Sequence, residues 1–217
     1  MEAVCCLRSL PIKWYEEERL MKVAFLGWGS LIWCPGALRF AYEADGPNQY
    51  RGWYTDGPEL PIEFARVSRD GRLTLVVHRG SRPVPALWAL SSSESLDDSK
   101  KNLRCRESCA NECIGIWQRS NTLSGKEDDI TAQVERWALS MERLQLDAVL
   151  WTDLKAKAPE DVPDWLPTME QVQTYIRETS GTCRAKCIEY IRSTPPQVQT
   201  GLRQALEDLC STLSHEL

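Results

Sequence analysis

The chain has 217 residues, a length that suits one sizeable hydrophobic core and is short for two full domains. Apolar residues make up 42% of the chain and charged residues 26%, which excludes disorder throughout. The formal net charge of -5 excludes a generally basic surface, so we expect no nucleic-acid partner. No apolar run reaches the roughly 18 residues that span a bilayer, and no secretory signal is recognisable, so we expect a cytoplasmic protein with no membrane partner.

The nine cysteines are predicted to be mainly free thiols, because a reducing cytoplasm disfavours disulfides. Cys105, Cys109 and Cys113 recur every fourth residue, as do Cys183 and Cys187, and on a helix each set would line one face. Structural zinc sites use other spacings more often, so we expect small buried side chains and predict no metal and no cofactor. A zinc ion bound by thiols is the alternative.

Residues 1–20 carry no periodic pattern and are predicted to be an N-terminal extension, either mobile or preceding the natural start at Met21. The apolar run from Met21 to Leu26 predicts a buried first strand, which ends at Gly27. No linker divides the rest of the chain, so residues 21–217 are predicted to form a single domain.

As far as residue 90 the pattern predicts short strands joined by tight turns. The clearest hairpin signal is a pair of β-rich runs, at 60–68 and 72–78, on either side of Asp70-Gly71. Many short strands predict a small, partly closed barrel or a curled sheet. Further strands in this part are predicted at 38–44, 50–54 and 84–90.

The second half of the chain is mostly helical in pattern. Ser95 followed by Asp98 is a variant capping box and predicts a helix over about 94–107. Strands first and helices last predict an α+β fold. Strands are predicted at 113–119 and 146–151, a strand or a helix at 131–144, and helices at 168–179, 181–193 and 197–213, so that 168–213 is mostly helical.

The turn Gly27-Trp28-Gly29-Ser30 is the first candidate binding site. Its glycines follow a buried strand, allow unusual backbone conformations and let a ligand approach the main chain closely. Successive N–H groups in such a turn can bind an anion or a polarised carbonyl oxygen, and Ser30 adds a hydroxyl. The motif matches neither a dinucleotide fingerprint nor a P-loop, and a plain tight turn is the alternative.

Glu107 is the candidate catalytic acid or base. On the predicted helix it continues the apolar stripe of Leu96 and Leu103, while Arg104 and Arg106 are expected on other sides. A buried carboxylate is costly to ionise, which raises its pKa and suits it to general-base catalysis. If the helix ended earlier, Glu107 would instead be solvated.

Glu63 is a candidate second acid, or the base if Glu107 is not. It lies among apolar residues within a predicted strand. The alternative is a structural ion pair with a nearby arginine such as Arg51 or Arg66.

Residues 23–36 resemble the signature of the gamma-glutamylcyclotransferase superfamily, most closely its ChaC-like branch, in which Tyr-Gly-Ser-Leu-Ile-Trp follows the first strand. The resemblance extends over about 22–117, and later segments follow in the family's order. Those segments are Arg51-Gly52-Trp53, 85–90 and Leu103-Arg104-Cys105-Arg106-Glu107, the last of which is similar to the family's Leu-x-x-Arg-Glu.

The resemblance implies a small mixed β-barrel with flanking helices and an enzyme without a cofactor. The implied reaction converts a γ-glutamyl amine or peptide to 5-oxoproline and a free amine, with Glu107 as the base. The implied substrate-binding backbone is that of Gly27, Trp28, Gly29, Ser30 and Leu31. Trp28 stands where the family has tyrosine, and the helical C-terminal part has no match. A binding or regulatory module that has lost turnover is therefore the alternative function.

Overall fold

The computed structural model describes residues 20–41, 49–121, 129–179 and 181–214. Apart from Leu20, the predicted N-terminal extension lies outside these residues. The strand predicted at 38–44 is described only as far as residue 41, and there Phe40 forms a single bridge to Ser91.

The described residues form nine strands. In chain order they are β1 (Val23–Gly27), β2 (Gln49–Tyr50), β3 (Trp53–Tyr54), β4 (Glu59–Val67), β5 (Leu73–Val77), β6 (Pro83–Pro85), β7 (Leu87–Leu90), β8 (Ile114–Gln118) and β9 (Ala148–Thr152). The helices are α1 (Ser30–Trp33), α2 (Leu96–Glu107), α3 (Asp129–Ser140), α4 (Met169–Glu178), α5 (Gly181–Ser193) and α6 (Arg203–Ser214). The predicted α+β class is confirmed, and 131–144 is mainly helical.

The strands form a six-stranded sheet in the order β2-β3-β7-β1-β9-β8 and a three-stranded sheet in the order β5-β4-β6. In the larger sheet β1 pairs antiparallel with β7 and parallel with β9. All five residues of β1 are buried, which explains the continuous apolar run in its sequence. The carboxyl ends of β1 and β9 therefore meet at one edge of this sheet.

Among the described strands neither sheet closes into a barrel, so the barrel expected from the pattern is not formed there. The predicted strand at 84–90 divides at Ala86 into β6 and β7, which belong to different sheets. The N–H group of Ala86 donates to the carbonyl oxygen of Pro58, and Pro83 and Pro85 have no N–H group to donate to a ladder. The chain therefore turns a corner here.

The predicted hairpin is confirmed. Strands β4 and β5 pair antiparallel, with a register shift between Phe64 and Arg66. Gly71 has φ of 78° in the connecting turn, and this conformation would be strained in a residue with a side chain. The N–H group of Ser68 donates to the carbonyl oxygen of Arg72 and closes the turn.

Helix α2 begins as its capping signal predicts, since the Ser95 side chain accepts a hydrogen bond from the Asp98 N–H group. It ends at Glu107, and Ser108 adopts the left-handed conformation with φ of 49°. Cys109 and Cys113 therefore lie beyond the helix, so Cys105, Cys109 and Cys113 do not share one helical face. Cys183 and Cys187 both lie on α5, as predicted. The seven described cysteines are free thiols.

A hydrophobic cluster runs from the central sheet to the C-terminal helices and includes Phe25, Phe64, Leu103 and Leu206. Helix α6 starts at residue 203, later than predicted, because residues 195–202, which begin with two prolines, form turns. None of the helices in the described ranges has the length and apolar character needed to cross a bilayer.

Candidate active site

A cleft of about 620 Å³ opens at the edge of the larger sheet where β1 and β9 end. The turn after β1 and the end of α2 form one wall, and the turn between β4 and β5 forms the other. Four arginines and two carboxylates line it, namely Arg66, Arg69, Arg72, Arg106, Asp70 and Glu107. The excess of positive charge suits a ligand that carries a carboxylate.

The glycine turn lies in this cleft, and all of the predicted binding residues from Gly27 to Leu31 line it. Gly29 has φ of -131°, so this glycine is not required by a left-handed backbone. Space explains it, because a Cβ atom on residue 29 would collide with the hydroxyl of Tyr190. A Cβ atom on residue 27 would lie 3.0 Å from the Trp53 ring. Both glycines thus permit close packing against aromatic side chains.

Glu107 lies in the same cleft as the turn, at the last position of α2. Its side chain is 14% exposed and its Oε1 atom lies 2.9 Å from Nη1 of Arg106. Burial raises the pKa of Glu107 above its usual range, although the charge and hydrogen bond of Arg106 act to lower it. A carboxylate whose pKa is raised is a better proton acceptor than an ordinary one, as general-base catalysis requires.

Arg106 ties the glycine turn to Glu107. Its guanidinium donates to the Ser30 hydroxyl at 3.1 Å and to the Cys34 carbonyl oxygen at 2.7 Å, as well as to Glu107. The expectation that Arg106 points away from Glu107 is wrong. Because α2 ends at Glu107, the long Arg106 side chain reaches back over the helix end to the turn. Arg104 does point elsewhere, and it donates to Asn111 at 2.8 Å.

The opposite wall is held by a network around Asp70. Its carboxylate accepts from the Ser68 hydroxyl at 2.6 Å and lies 3.3 Å from both Arg72 and Lys186. Partial burial acts to raise its pKa, but the Ser68 hydrogen bond and the two cations outweigh it and hold the pKa of Asp70 at about 2. Asp70 is therefore an ionised structural group rather than a proton carrier at neutral pH.

Tyr190 is a site residue that no motif indicated. It projects from α5, is 5% exposed and lines the cleft beside the glycine turn. Its ring packs edge-on against Trp33 at 5.1 Å and Phe64 at 6.4 Å. The helical periodicity around it predicts only a buried position, so the sequence contained no signal for its location in the cleft.

Glu63 is not brought to the cleft. Its carboxylate accepts from the N–H groups of Phe64 at 2.9 Å and Leu202 at 3.3 Å, and its side chain lies at the start of α6. Arg66 instead donates to the carbonyl oxygen of Lys155. These contacts give Glu63 a structural role at a helix N-terminus.

Two cysteines, Cys109 and Cys113, also line the cleft. Burial and the neighbouring Cys113 and Glu107 raise the pKa of Cys109 to about 11, so it is a thiol at neutral pH and a weak metal ligand. Within the part of the chain that the structure describes, no three His, Cys, Asp or Glu side chains are grouped to hold a metal ion.

Comparisons with known proteins add no relative: no protein-family model matches the chain, and no curated protein has a matching sequence. The function is therefore inferred from the chemistry of the cleft itself. The cleft combines a buried carboxylate of raised pKa, a backbone turn that a ligand can approach and an excess of arginine.

Proposed function

We propose that this protein is a gamma-glutamylcyclotransferase-like enzyme that converts a γ-glutamyl amine or peptide to 5-oxoproline and a free amine in the cytoplasm. The observation that carries the proposal is the placement of Glu107 in one cleft with the turn Gly27–Leu31, joined to it through Arg106. We further propose that the two sheets and their flanking helices are an open form of the gamma-glutamylcyclotransferase-like fold. The free thiols of the described cysteines agree with a reducing compartment.

In the proposed reaction the α-amine of the γ-glutamyl group attacks its own γ-carbonyl carbon. A lactam ring closes, and the bond from that carbon to the leaving nitrogen breaks. Glu107 takes the proton that the attacking amine loses and returns it to the leaving nitrogen. The carboxylate ends as it began, so no further reagent is consumed.

The charges of the cleft suit the substrate's own charges. The arginines of the β4–β5 turn, Arg69 and Arg72, face a cleft in which the ligand's α-carboxylate would lie. Backbone N–H groups of the turn after β1 would bind the γ-carbonyl oxygen or that carboxylate. Closing the ring requires the amine and the carbonyl to be held together, which fixed donors in the cleft would accomplish.

The second candidate is a binding or regulatory module on the same fold. It is favoured by the Arg106–Glu107 ion pair at 2.9 Å, because a carboxylate neutralised by a permanent partner is a poorer base. Trp28, buried where the resembling family has tyrosine, favours it as well. Such a module would bind γ-glutamyl compounds without releasing 5-oxoproline.

The test is 5-oxoproline release, measured by mass spectrometry, from glutathione, γ-glutamyl dipeptides and γ-glutamyl amines. We expect turnover of at least one compound by the wild type and a loss of about 10²- to 10⁴-fold in Glu107→Gln. Glu112→Gln is the matched control, because this carboxylate is exposed in the 3-10 turn Asn111–Cys113 and outside the cleft lining. Thermal stabilisation of the wild type by a compound that it does not turn over would favour the binding module. If no compound were turned over and none stabilised the protein, both candidate functions would be excluded.

A further inference from the structure

Tyr190 is held rigidly in the wall of the cleft. Its ring is clamped by Trp33 and Phe64, and the guanidinium of Arg72 lies 5.9 Å from the ring centre. The backbone of Gly29 leaves room for its hydroxyl, which occupies the space of a missing Cβ atom. A side chain packed on this many sides cannot swing away, so its hydroxyl has one position relative to the glycine turn.

The hydrogen bonds of this hydroxyl determine where its proton goes. The oxygen accepts from the Leu75 N–H group at 3.3 Å, and the backbone of Ser30 provides a second hydrogen bond to it. A phenol oxygen has two lone pairs and one proton, so these contacts engage the lone pairs and leave the proton to be donated. Among the described residues no protein acceptor takes that proton.

Tyr190 also remains protonated over the working range of an enzyme. The groups that face it are the carboxylate of Glu107 from the end of α2 and the guanidinium of Arg72 from the β4–β5 turn. Burial, and secondarily Glu107, raise the pKa of Tyr190 to about 12, although the backbone hydrogen bonds and Arg72 act to lower it. It is therefore a neutral donor close to the proposed base.

We propose that the Tyr190 hydroxyl donates a hydrogen bond to the γ-carbonyl oxygen of the substrate and stabilises the oxyanion that forms as the ring closes. This rests on the proposed cyclotransferase function. No proton is transferred from Tyr190: the amine proton passes to Glu107, and the negative charge returns from the oxygen when the leaving nitrogen departs. A fixed neutral donor of this kind acts mainly in the transition state, since the carbonyl oxygen is most negative there.

The first arm of the test is Tyr190→Phe, which removes only the hydroxyl. We expect kcat to fall about 10²- to 10³-fold with little change in KM. Tyr175→Phe is the matched control. Like Tyr190, Tyr175 has a pKa raised to about 12 by burial, and its hydroxyl forms a hydrogen bond, donating to the Gly71 carbonyl oxygen at 2.7 Å. Unlike Tyr190, it lies outside the cleft lining. This control should keep kcat near the wild-type value.

The second arm replaces Tyr190 by a ring-fluorinated tyrosine, which keeps the hydroxyl and the packing but ionises at lower pH. We expect kcat to decline at high pH in this variant and not in the wild type, because an ionised phenol has no proton to donate. If Tyr190 served only in folding, fluorination would not change how kcat depends on pH at the alkaline end. This arm also decides the matter if Tyr190→Phe does not fold.

Three results would overturn the inference. Normal kcat in a folded Tyr190→Phe, or an unchanged alkaline limb in the fluorinated variant, would reject Tyr190 as the donor and leave the cyclotransferase function standing. A wild type that releases 5-oxoproline from no γ-glutamyl compound would reject both.

Discussion

The hydroxyl of Tyr190 occupies the space that a Cβ atom on residue 29 would need. The helix α5 therefore packs against the glycine turn only because position 29 has no side chain. The two residues are separated widely in sequence, and each constrains what the other can be. This pair connects the C-terminal helices, which had no match to a family pattern, with the turn that carried the resemblance.

The first prediction concerns this pair. Gly29→Ala should lower the free energy of unfolding by about 1–3 kcal/mol, because the added methyl group displaces Tyr190 or the turn. In a Tyr190→Phe background Gly29→Ala should lower the free energy of unfolding by less, because the clashing hydroxyl oxygen is gone. Urea denaturation of the four proteins of this double-mutant cycle measures the coupling. Strictly additive effects would show that the clash is relieved elsewhere.

The second prediction concerns stability and the ionisation of Glu107. Because its folded pKa is raised, the folded protein holds this proton more tightly than the unfolded chain, so the contribution of Glu107 to stability is lost as pH rises through the folded pKa. Glu107→Gln mimics the protonated group and should be more stable than the wild type at neutral pH. The difference should vanish well below pH 4.5, the ordinary glutamate value, where both forms are neutral.

Thermal melts of Glu107→Gln and the wild type across pH measure this difference. Glu112→Gln should show no comparable gain, because its carboxylate is exposed. If Glu107→Gln were less stable at neutral pH, the ion pair with Arg106 would outweigh burial.

The third prediction concerns Arg106, whose charge lowers the pKa of Glu107. Arg106→Gln should shift the midpoint of the acidic limb of kcat/KM to higher pH, because burial then acts without its opposing cation. Arg104→Gln is the matched control: it also replaces an arginine of α2, but one that contacts Asn111, and it should leave the midpoint unchanged. Equal shifts in the two variants would point to a general charge effect.

The fourth prediction concerns Glu63, whose carboxylate accepts the Leu202 N–H group at the start of α6. Glu63→Gln should keep turnover and lower the free energy of unfolding by about 1–2 kcal/mol, because a charge-assisted hydrogen bond is weakened at a buried position. The exposed Glu59 on the same strand offers the comparison Glu59→Gln, which should change neither quantity. A loss of turnover comparable to that of Glu107→Gln would make Glu63 part of the chemistry.

Local patterns in the sequence were enough for the elements on which the site is built. The apolar run that forms β1, the Asp70-Gly71 hairpin and the Ser95 cap of α2 each follow from neighbours within a few residues of one another. The periodicity of α2 placed Glu107 on an inward stripe, and the side chain is indeed 14% exposed. Sequence patterns predict these elements because the contacts that form them join residues close together in the chain.

Long-range contacts decided the rest. No local pattern marks the break between the two sheets at Ala86. The same holds for two contacts between residues far apart in the chain: Arg106 reaches Ser30 across 76 residues, and Tyr190 approaches Leu75 across 115 residues. Each depends on which surfaces meet when the strands and helices pack, and packing is selected by the shape and burial of the whole core rather than by neighbours in the chain. The sequence alone thus determined the first strand, the β4–β5 hairpin, the glycine turn and the inward position of the carboxylate. Tertiary packing determined how the strands divide between two sheets and which arginine and which tyrosine lie beside that carboxylate.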